Sequence, residues 1–181
     1  MRKPVNFEFK PVSNDNWPDL EKLFESKGGP HNCWCMVWRK MDKYSDRSNK
    51  HEKKKALKGY IDQGQSIGFI GYNDHEPIAW CSVAPRETYR NMGGDPGLKA
   101  VWTLVCFFIN SAYRQQGLTE KLILKAVEIA RVNGAAYLEA FPVEHDSPSY
   151  RFMGFISTFE ALGFKKTGKA GLRRHIMVCK L

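Results

Sequence analysis

The chain is short of acidic residues, of long apolar runs and of any low-complexity tract, and each shortage narrows what it can be. Its longest near-continuous apolar run, Val101 to Ile109, falls far short of the roughly 20 residues that a helix needs to cross a bilayer, so no membrane span is expected. There is no Gly/Ser or Pro tract, which argues against wholesale disorder, collagen-like structure and repeat arrays. Met1-Arg2-Lys3-Pro4 leads straight into the alternating Val5-Asn6-Phe7-Glu8-Phe9 with no apolar signal region, and the expected location is the cytoplasm. The five cysteines make an odd count, and Cys81, Cys106 and Cys179 sit in strand-like apolar runs, as reduced buried thiols do, so no disulfide framework is expected. Cys33-Trp34-Cys35 with His31 nearby has the wrong spacing for common zinc sites, and no second ligand pair follows. No metal is expected.

What is present suffices for one core. The 181 residues are 43% hydrophobic and 13% aromatic, which predicts a single domain over residues 1–181. Lys+Arg number 28 against 19 Asp+Glu, a net charge of +9 that favours anionic partners such as nucleic acid, acidic membrane or phosphorylated cofactors without choosing among them. The densest basic run, Lys50 to Lys58, carries Leu57, Tyr60 and Ile61 at helical spacing. That pattern reads as the solvated face of an amphipathic helix rather than a nucleic-acid patch, since no aromatic or glycine pattern of an RNA module accompanies it.

Periodicity sets out the elements. Val5 to Val12 reads as a strand, followed by capping residues Ser13 to Asn16 and a helix through Trp17, Leu20, Leu23 and Phe24 that ends at Gly28-Gly29-Pro30. The Lys-rich helix stops near Gly64; Ser66 to Tyr72 and Pro77 to Val83 then flank the turn Asn73 to Glu76 as a hairpin. Val101 to Ile109 is apolar enough for burial on both faces and is the expected centre of a sheet. A helix starting at Thr119 ends at Asn133-Gly134, and the strand Tyr137 to Val143 follows, an order that predicts a right-handed crossover between parallel neighbours. A short helix from about Phe155 to Leu162 leads to a final strand, Arg174 to Leu181. The fold class is α/β with a mixed sheet. Gly163 to Ala170 comes near a phosphate-binding loop, but Ala170 lacks the metal-binding hydroxyl and a strand rather than a helix follows, so nucleotide triphosphate hydrolysis is not expected.

The most informative segment is the turn between the buried strand and its crossover helix, Asn110 to Thr119. Backbone N–H groups at a helix N-terminus are unpaired and bind phosphate, Gly117 lets the backbone approach an anion, and Arg114 adds positive charge.

Arg114, Gly117 and Thr119 occupy the three fixed positions of the (Gln/Arg)-x-x-Gly-x-(Gly/Ala) motif, and here the chain resembles the GNAT superfamily of N-acetyltransferases. Thr119 departs from the smaller residue of the motif. Phe159 to Phe164 matches the aromatic-x-x-x-Gly-Phe signature of the family, and the order of elements from Val5 to Leu181 fits its fold. Cys33 to Met36, Ala79 to Arg86, Cys106 to Phe108 and Ser157 to Glu160 look like a widespread bacterial subfamily. The resemblance implies a mostly antiparallel sheet with one splayed parallel strand pair and helices on both faces.

It also implies a cofactor and an activity: acetyl-coenzyme A (acetyl-CoA), donating its acetyl group directly to a primary amine of a small molecule (an amino acid, polyamine or antibiotic-like amine) or of a peptide. Backbone groups of Phe107, Phe108 and Ile109 are expected to pair with the pantetheine arm, and amides of Gln115, Gln116, Gly117, Leu118 and Thr119 to hold the pyrophosphate. Members often carry a catalytic Glu on the fourth strand, where this chain has Thr103. A water held by Thr103, or Glu139 on the fifth strand, is the expected substitute, against the plainer reading of Glu139 as a surface or salt-bridged residue. The late-helix Tyr of the family is Phe159 here, and Ser157 is the candidate to bond the sulfur, or else a helix cap. Trp34, Trp38, Trp80 and Ser82 are candidates for the acceptor side, with core packing as the alternative for each tryptophan. No nucleic acid and no membrane are expected as partners, and the state is monomer or homodimer. A basic nucleic-acid-binding or regulatory module on an inactive acyltransferase fold is the competing interpretation.

Overall fold

A computed structural model describes residues 6–181, so the start of the expected first strand at Val5 lies outside the described residues. Strands β1 (Phe7–Pro11), β2 (Phe69–Asn73), β3 (Glu76–Pro85), β4 (Val101–Ile109), β5 (Tyr137–Ala140), β6 (Lys165–Ala170) and β7 (Arg174–Lys180) form one sheet ordered β1-β2-β3-β4-β5-β7-β6. All neighbours are antiparallel except β4 and β5. The helices are α1 (Trp17–Glu25), α2 (Lys50–Asp62), α3 (Leu118–Val132) and α4 (Ile156–Ala161).

Local chemistry accounts for these elements. Helix α1 buries Trp17, Leu20, Leu23 and Phe24 on one stripe, and α2 starts where the Asn49 side chain accepts from the His51 and Glu52 amides, satisfying donors that the first turn leaves free. The β2–β3 hairpin turns on Asp74 and His75, at φ 46° and 69°, the paired left-handed residues of a two-residue turn whose twist matches the strands. Helices α1 and α2 cover one face of the sheet with the core around Trp34, Phe24 and Trp80. On the other, α3 and α4 pack with Leu122, Ile123 and Phe159 over Leu104 and Leu138. The basic run on α2 is tied to its surroundings: Lys54 bridges Glu21 at 2.8 Å and Glu25 at 3.2 Å, Lys58 holds Asn14 and Asp62, and Lys53 donates to the Asn32 carbonyl.

Two expectations are corrected. Lys165–Ala170 is a strand, β6, and not a connection; it pairs only with β7, and its outward lysines are what an edge strand presents. Strand β5 ends at Ala140 rather than Val143, because its pairing with β4 stops at Leu104↔Ala140; Val143 instead forms a parallel bridge to Phe155.

Candidate active site

The site begins with an irregularity in β4. Ser82 faces Cys106 while Val83 faces Leu104, so Val105 is one extra residue with no partner on β3: a β-bulge. The bulge puts Val105 and the adjacent Cys106 on the same face of the sheet, toward α1 and α2. Such a bulge bends its strand, and β4 continues to Ile109 with no strand on its β5 side. The gap opens at the carboxyl ends of two parallel strands, where mixed α/β sheets bind ligands. Gly154 closes its α4 side, because a Cβ there would lie 2.8 Å from Phe159 Cε2 and 3.1 Å from Phe107 Cε2.

The turn after β4 is shaped for an anion. Gln115 and Gly117 both have positive φ, 59° and 70°, and a Cβ built on Gly117 meets nothing within 4 Å. Among the described residues the amides of Gln115, Gln116, Gly117, Leu118, Thr119 and Glu120 have no acceptor, and together with the helix dipole they form a concave nest of donors. Arg114 turns partly back, its Nε donating to the Ile109 carbonyl at 2.9 Å. Leu118 is buried against the sheet and Gly117 is the N-cap, which has no side chain to cap with.

Toward α1 and α2, a cavity of about 300 Å³ is lined by Cys33, Cys35, Val37 and Trp38 from the segment after α1, by Val105 to Phe108 of β4, and by Phe152. Of the four acceptor-side candidates only Trp38 lines it. Trp34, Trp80 and Ser82 lie in the core: Trp34 stacks on Trp17 at 5.9 Å, the Trp80 indole donates to Cys35 Sγ at 3.3 Å, and Ser82 receives an Arg39 donor. Phe24 of α1 packs against both rings, at 5.2 Å from Trp34 and 5.5 Å from Trp80.

The sequence pattern missed the buried Arg39. Its guanidinium is fully enclosed, donates to Thr88, Ile67 O, Ser82 and Tyr89 and stacks 4.4 Å from the Tyr89 ring; none of these bonds goes to a carboxylate. Cys35 is the nearby group drawn toward the anion. Burial opposes its ionisation, but hydrogen bonds from Cys106, Trp80 and Ser82 and the Arg39 charge outweigh burial and hold the thiol below its ordinary value. Cys106 is pushed up by that bond to Cys35 and by burial, and Cys81 by burial. Cys35 follows Trp34 in a turn where both have positive φ, 45° and 54°, a strained backbone that persists only where surrounding structure imposes it.

A second pocket, about 520 Å³, opens over Thr103 and Glu139 and is rimmed by Lys40, Arg86, Tyr89, Arg90 and Gly94. The register Thr103↔Glu139 places these two side by side. The Thr103 hydroxyl donates to Glu139 Oε1 at 2.7 Å, while Arg86 Nε and Nη2 grip the carboxylate at 2.9 and 2.5 Å. Gly94 covers the pair so closely that a Cβ there would sit 2.2 Å from Glu139 Oε2. On the α4 side, Ser157 shares a 2.8 Å hydrogen bond with His145 Nε2, and the imidazole stacks on Phe155 at 4.2 Å. Arg86 and His145 were not legible as site residues, because only the tertiary fold pairs them with the candidates.

The strand gap and the adjoining amide nest suit an extended ligand that carries phosphate, and comparison with known proteins gives the family. The acetyltransferase (GNAT) family model matches residues 17–155. The chain belongs to that family, whose acetyl donor is acetyl-CoA. A comparison with proteins of curated function finds no match. Among solved structures, an acetyltransferase from Thermus thermophilus is similar with a TM-score of 0.61 and 17% identity, over 98% of each chain. An N-acetyltransferase from Thermoplasma acidophilum in complex with coenzyme A scores 0.60 at 13% identity, over 98% of this chain and 100% of that one. An acetyltransferase described as putative, from Salmonella typhimurium with acetyl-CoA, scores 0.59 at 13% identity, covering 97% and 94%. At these identities the likeness is one of fold. The residues here fit the donor on their own terms: an unpaired strand edge for an amide-bearing arm, and unsatisfied N–H groups for a pyrophosphate.

Proposed function

We propose that the chain is an acetyl-CoA-dependent N-acetyltransferase that passes the acetyl group directly to a primary amine of a small molecule or peptide. The observation that carries this reading is the Val105 bulge, with β4 and β5 parting behind it and the free amides of residues 115–120 at the end of the opened strand. Those amides hold the pyrophosphate, and the exposed β4 edge at Phe107, Phe108 and Ile109 holds the pantetheine arm. Ile109 takes part without its carbonyl, which Arg114 occupies. When bound, acetyl-CoA supplies a thioester, an electrophile with a leaving thiol of pKa about 8.5.

The protein's own groups handle protons and charge. An amine near pKa 10.4 is almost wholly protonated at neutral pH and must lose a proton before it attacks. The Thr103 hydroxyl spends its hydrogen on Glu139, which leaves its oxygen lone pairs to hold a water in the pocket above, and that water takes the amine's proton and passes it to solvent. Glu139, gripped by Arg86, is a positioning residue for Thr103. A backbone donor at the bulge would hold an oxygen that gains negative charge, an arrangement that is often the largest catalytic term. The Ser157 hydroxyl, linked to His145, would donate a hydrogen bond to the leaving sulfur, a thiol of pKa about 8.5 that needs only modest help. Cys35 lies in the cavity wall with its sulfur engaged by Trp80 and Cys106, and direct transfer requires no covalent step on it.

Calorimetry with acetyl-CoA tests the reading. Affinity should weaken as salt rises, and Gly117→Asp should lower it by at least tenfold, since a carboxylate enters the nest. Gly117→Ala, which adds only the cost of its positive φ, should lose less. Unchanged affinity for the Asp variant refutes the placement. Intersecting initial-rate lines when donor and amine are varied are expected for direct transfer, and parallel lines refute it.

A further inference from the structure

Arg174 opens β7 on the same face of the sheet as Thr103 and Glu139. The His175 amide donates to the Pro142 carbonyl at 2.9 Å, so Arg174 stands just beyond the end of β5, across the opened gap from the bulge. Its guanidinium lies 4.2 Å from the Trp38 ring, 5.6 Å from Tyr150 and 5.9 Å from Phe141. Trp38 is also a wall of the apolar cavity with Cys106 and Phe108. Trp38 therefore joins the cluster to the wall of that cavity.

Two features of the cluster are costly unless something answers them. Among the described residues Arg174 forms no ion pair with a carboxylate, and its Nη1 is buried with no hydrogen-bond partner; Trp38 Nε1, on the ring it stacks against, is buried and unpartnered as well. Buried donors are normally satisfied, and one left unmade loses its hydration without return. The surroundings offer no internal anion. Glu139 is held by Arg86 on both oxygens, while Lys40, Arg86 and Arg90 rim the neighbouring pocket with only Glu87 and Glu139 against them. The Arg90 amide bonds the Trp38 carbonyl at 2.7 Å, so the cationic rim adjoins the aromatic box through the backbone.

We propose that the acceptor is an amine that also carries a carboxylate, an amino-acid-like substrate whose anionic group is taken by the Arg174 guanidinium and the Trp38 indole N–H. Two separate donors suit the two oxygens of one carboxylate, and the aromatic walls exclude water and strengthen the contact. A cationic rim repels polyamines and aminoglycosides and draws an anionic amine. The amine is then left free to point toward Thr103. This inference rests on the amine-acceptor reading above.

The experiment is calorimetric titration, with coenzyme A present, of free amino acids, their carboxamides, phosphoethanolamine, spermidine and an aminoglycoside, repeated with Arg174→Gln and Trp38→Phe. Free amino acids should bind at least tenfold more tightly than their carboxamides. Each variant should erase most of that preference while leaving coenzyme A affinity unchanged; Trp38→Phe keeps the ring and so remains informative if Arg174→Gln fails to fold. Equal binding of acids and carboxamides, preferred binding of spermidine or the aminoglycoside, or preferred binding of phosphoethanolamine over every amino acid overturns the proposal. A parallel assay of coenzyme A release keeps the two readings apart. Carboxylate-dependent binding with no release faults the transferase reading alone, and release with cationic amines only faults this proposal alone.

Discussion

Replacing Gly94 with alanine probes the Arg86–Glu139–Thr103 chain without touching any of its members. A Cβ there would lie 2.2 Å from Glu139 Oε2 and 3.0 Å from Arg86 Nη2, closer than real contacts allow, so the carboxylate or the loop must move. The carboxylate is the softer element only if it gives up the 2.5 Å bond from Arg86 Nη2, a charge-assisted bond worth about 1.5–3 kcal/mol. The Arg86 side chain is 25% exposed against 2% for Glu139, so solvent screening places the loss toward the lower end of that range. For a domain of this size each kcal/mol moves the melting temperature by about 2–4 °C, giving a fall of about 3–6 °C. Thermal unfolding followed by circular dichroism reads that fall. On the proposed mechanism kcat should drop as well, because a displaced Glu139 no longer orients the Thr103 hydroxyl. A double variant with Glu139→Gln should cost less than the two single losses together, since both act on one network. A melting temperature within about 1 °C of the parent, with kcat unchanged, refutes the reasoning, since it would mean that the loop lifts freely and the pair never depended on its cover.

Cys35 should be the first of the buried thiols to react with iodoacetamide at neutral pH, ahead of Cys81 and Cys106, because its neighbours favour the thiolate while burial pushes Cys81 up and the bond to Cys35, with burial, pushes Cys106 up; peptide mapping that finds Cys81 or Cys106 labelled first contradicts this. Burial, with Lys166 and Lys169 nearby, holds the His175 imidazole below its ordinary value, so the folded state binds fewer protons there than the unfolded chain. Its contribution is complete above the unfolded pKa of about 6.5 and is lost as pH falls below it. His175→Gln should therefore flatten the decline of melting temperature between about pH 6.5 and 5, and an unchanged slope would sink the assignment.

Most of the architecture was legible because its signals are local. The apolar run of β4, the stripe of α3 and the turn at Asp74-His75 each lie in a short window, and the structure places all three where that window does. Strand β6 was not legible: Lys-Lys-Thr-Gly-Lys-Ala has no apolar alternation, all but its last residues face outward, and β7 alone recruits it. The early end of β5 was equally hidden, since the cause is a bulge in the neighbouring strand. The donor nest could be found from sequence because a strand-to-helix turn carries its own unpaired amides. Of the proposed acceptor box only Trp38 could be named from sequence, because Phe141, Tyr150 and Arg174 join it through the tertiary fold.

The departure at Thr103 illustrates how tertiary register completes what a motif leaves open. A hydroxyl with a pKa far above neutrality cannot hold a proton taken from an amine, so Thr103 alone is a weak substitute for a carboxylate. The parallel pairing of β4 with β5 sets Glu139 directly opposite it, which restores a carboxylate to the same face of the sheet one strand away. Arg86, at the end of β3, then balances the charge that would otherwise be buried without a partner. The cost is that both carboxylate oxygens are engaged, so on the proposed mechanism Glu139 acts through the threonine and not by contact with the amine. The negative charge is thus still present beside the hydroxyl, held by an arginine just past the end of β3, and Thr103 and Glu139 both line the pocket.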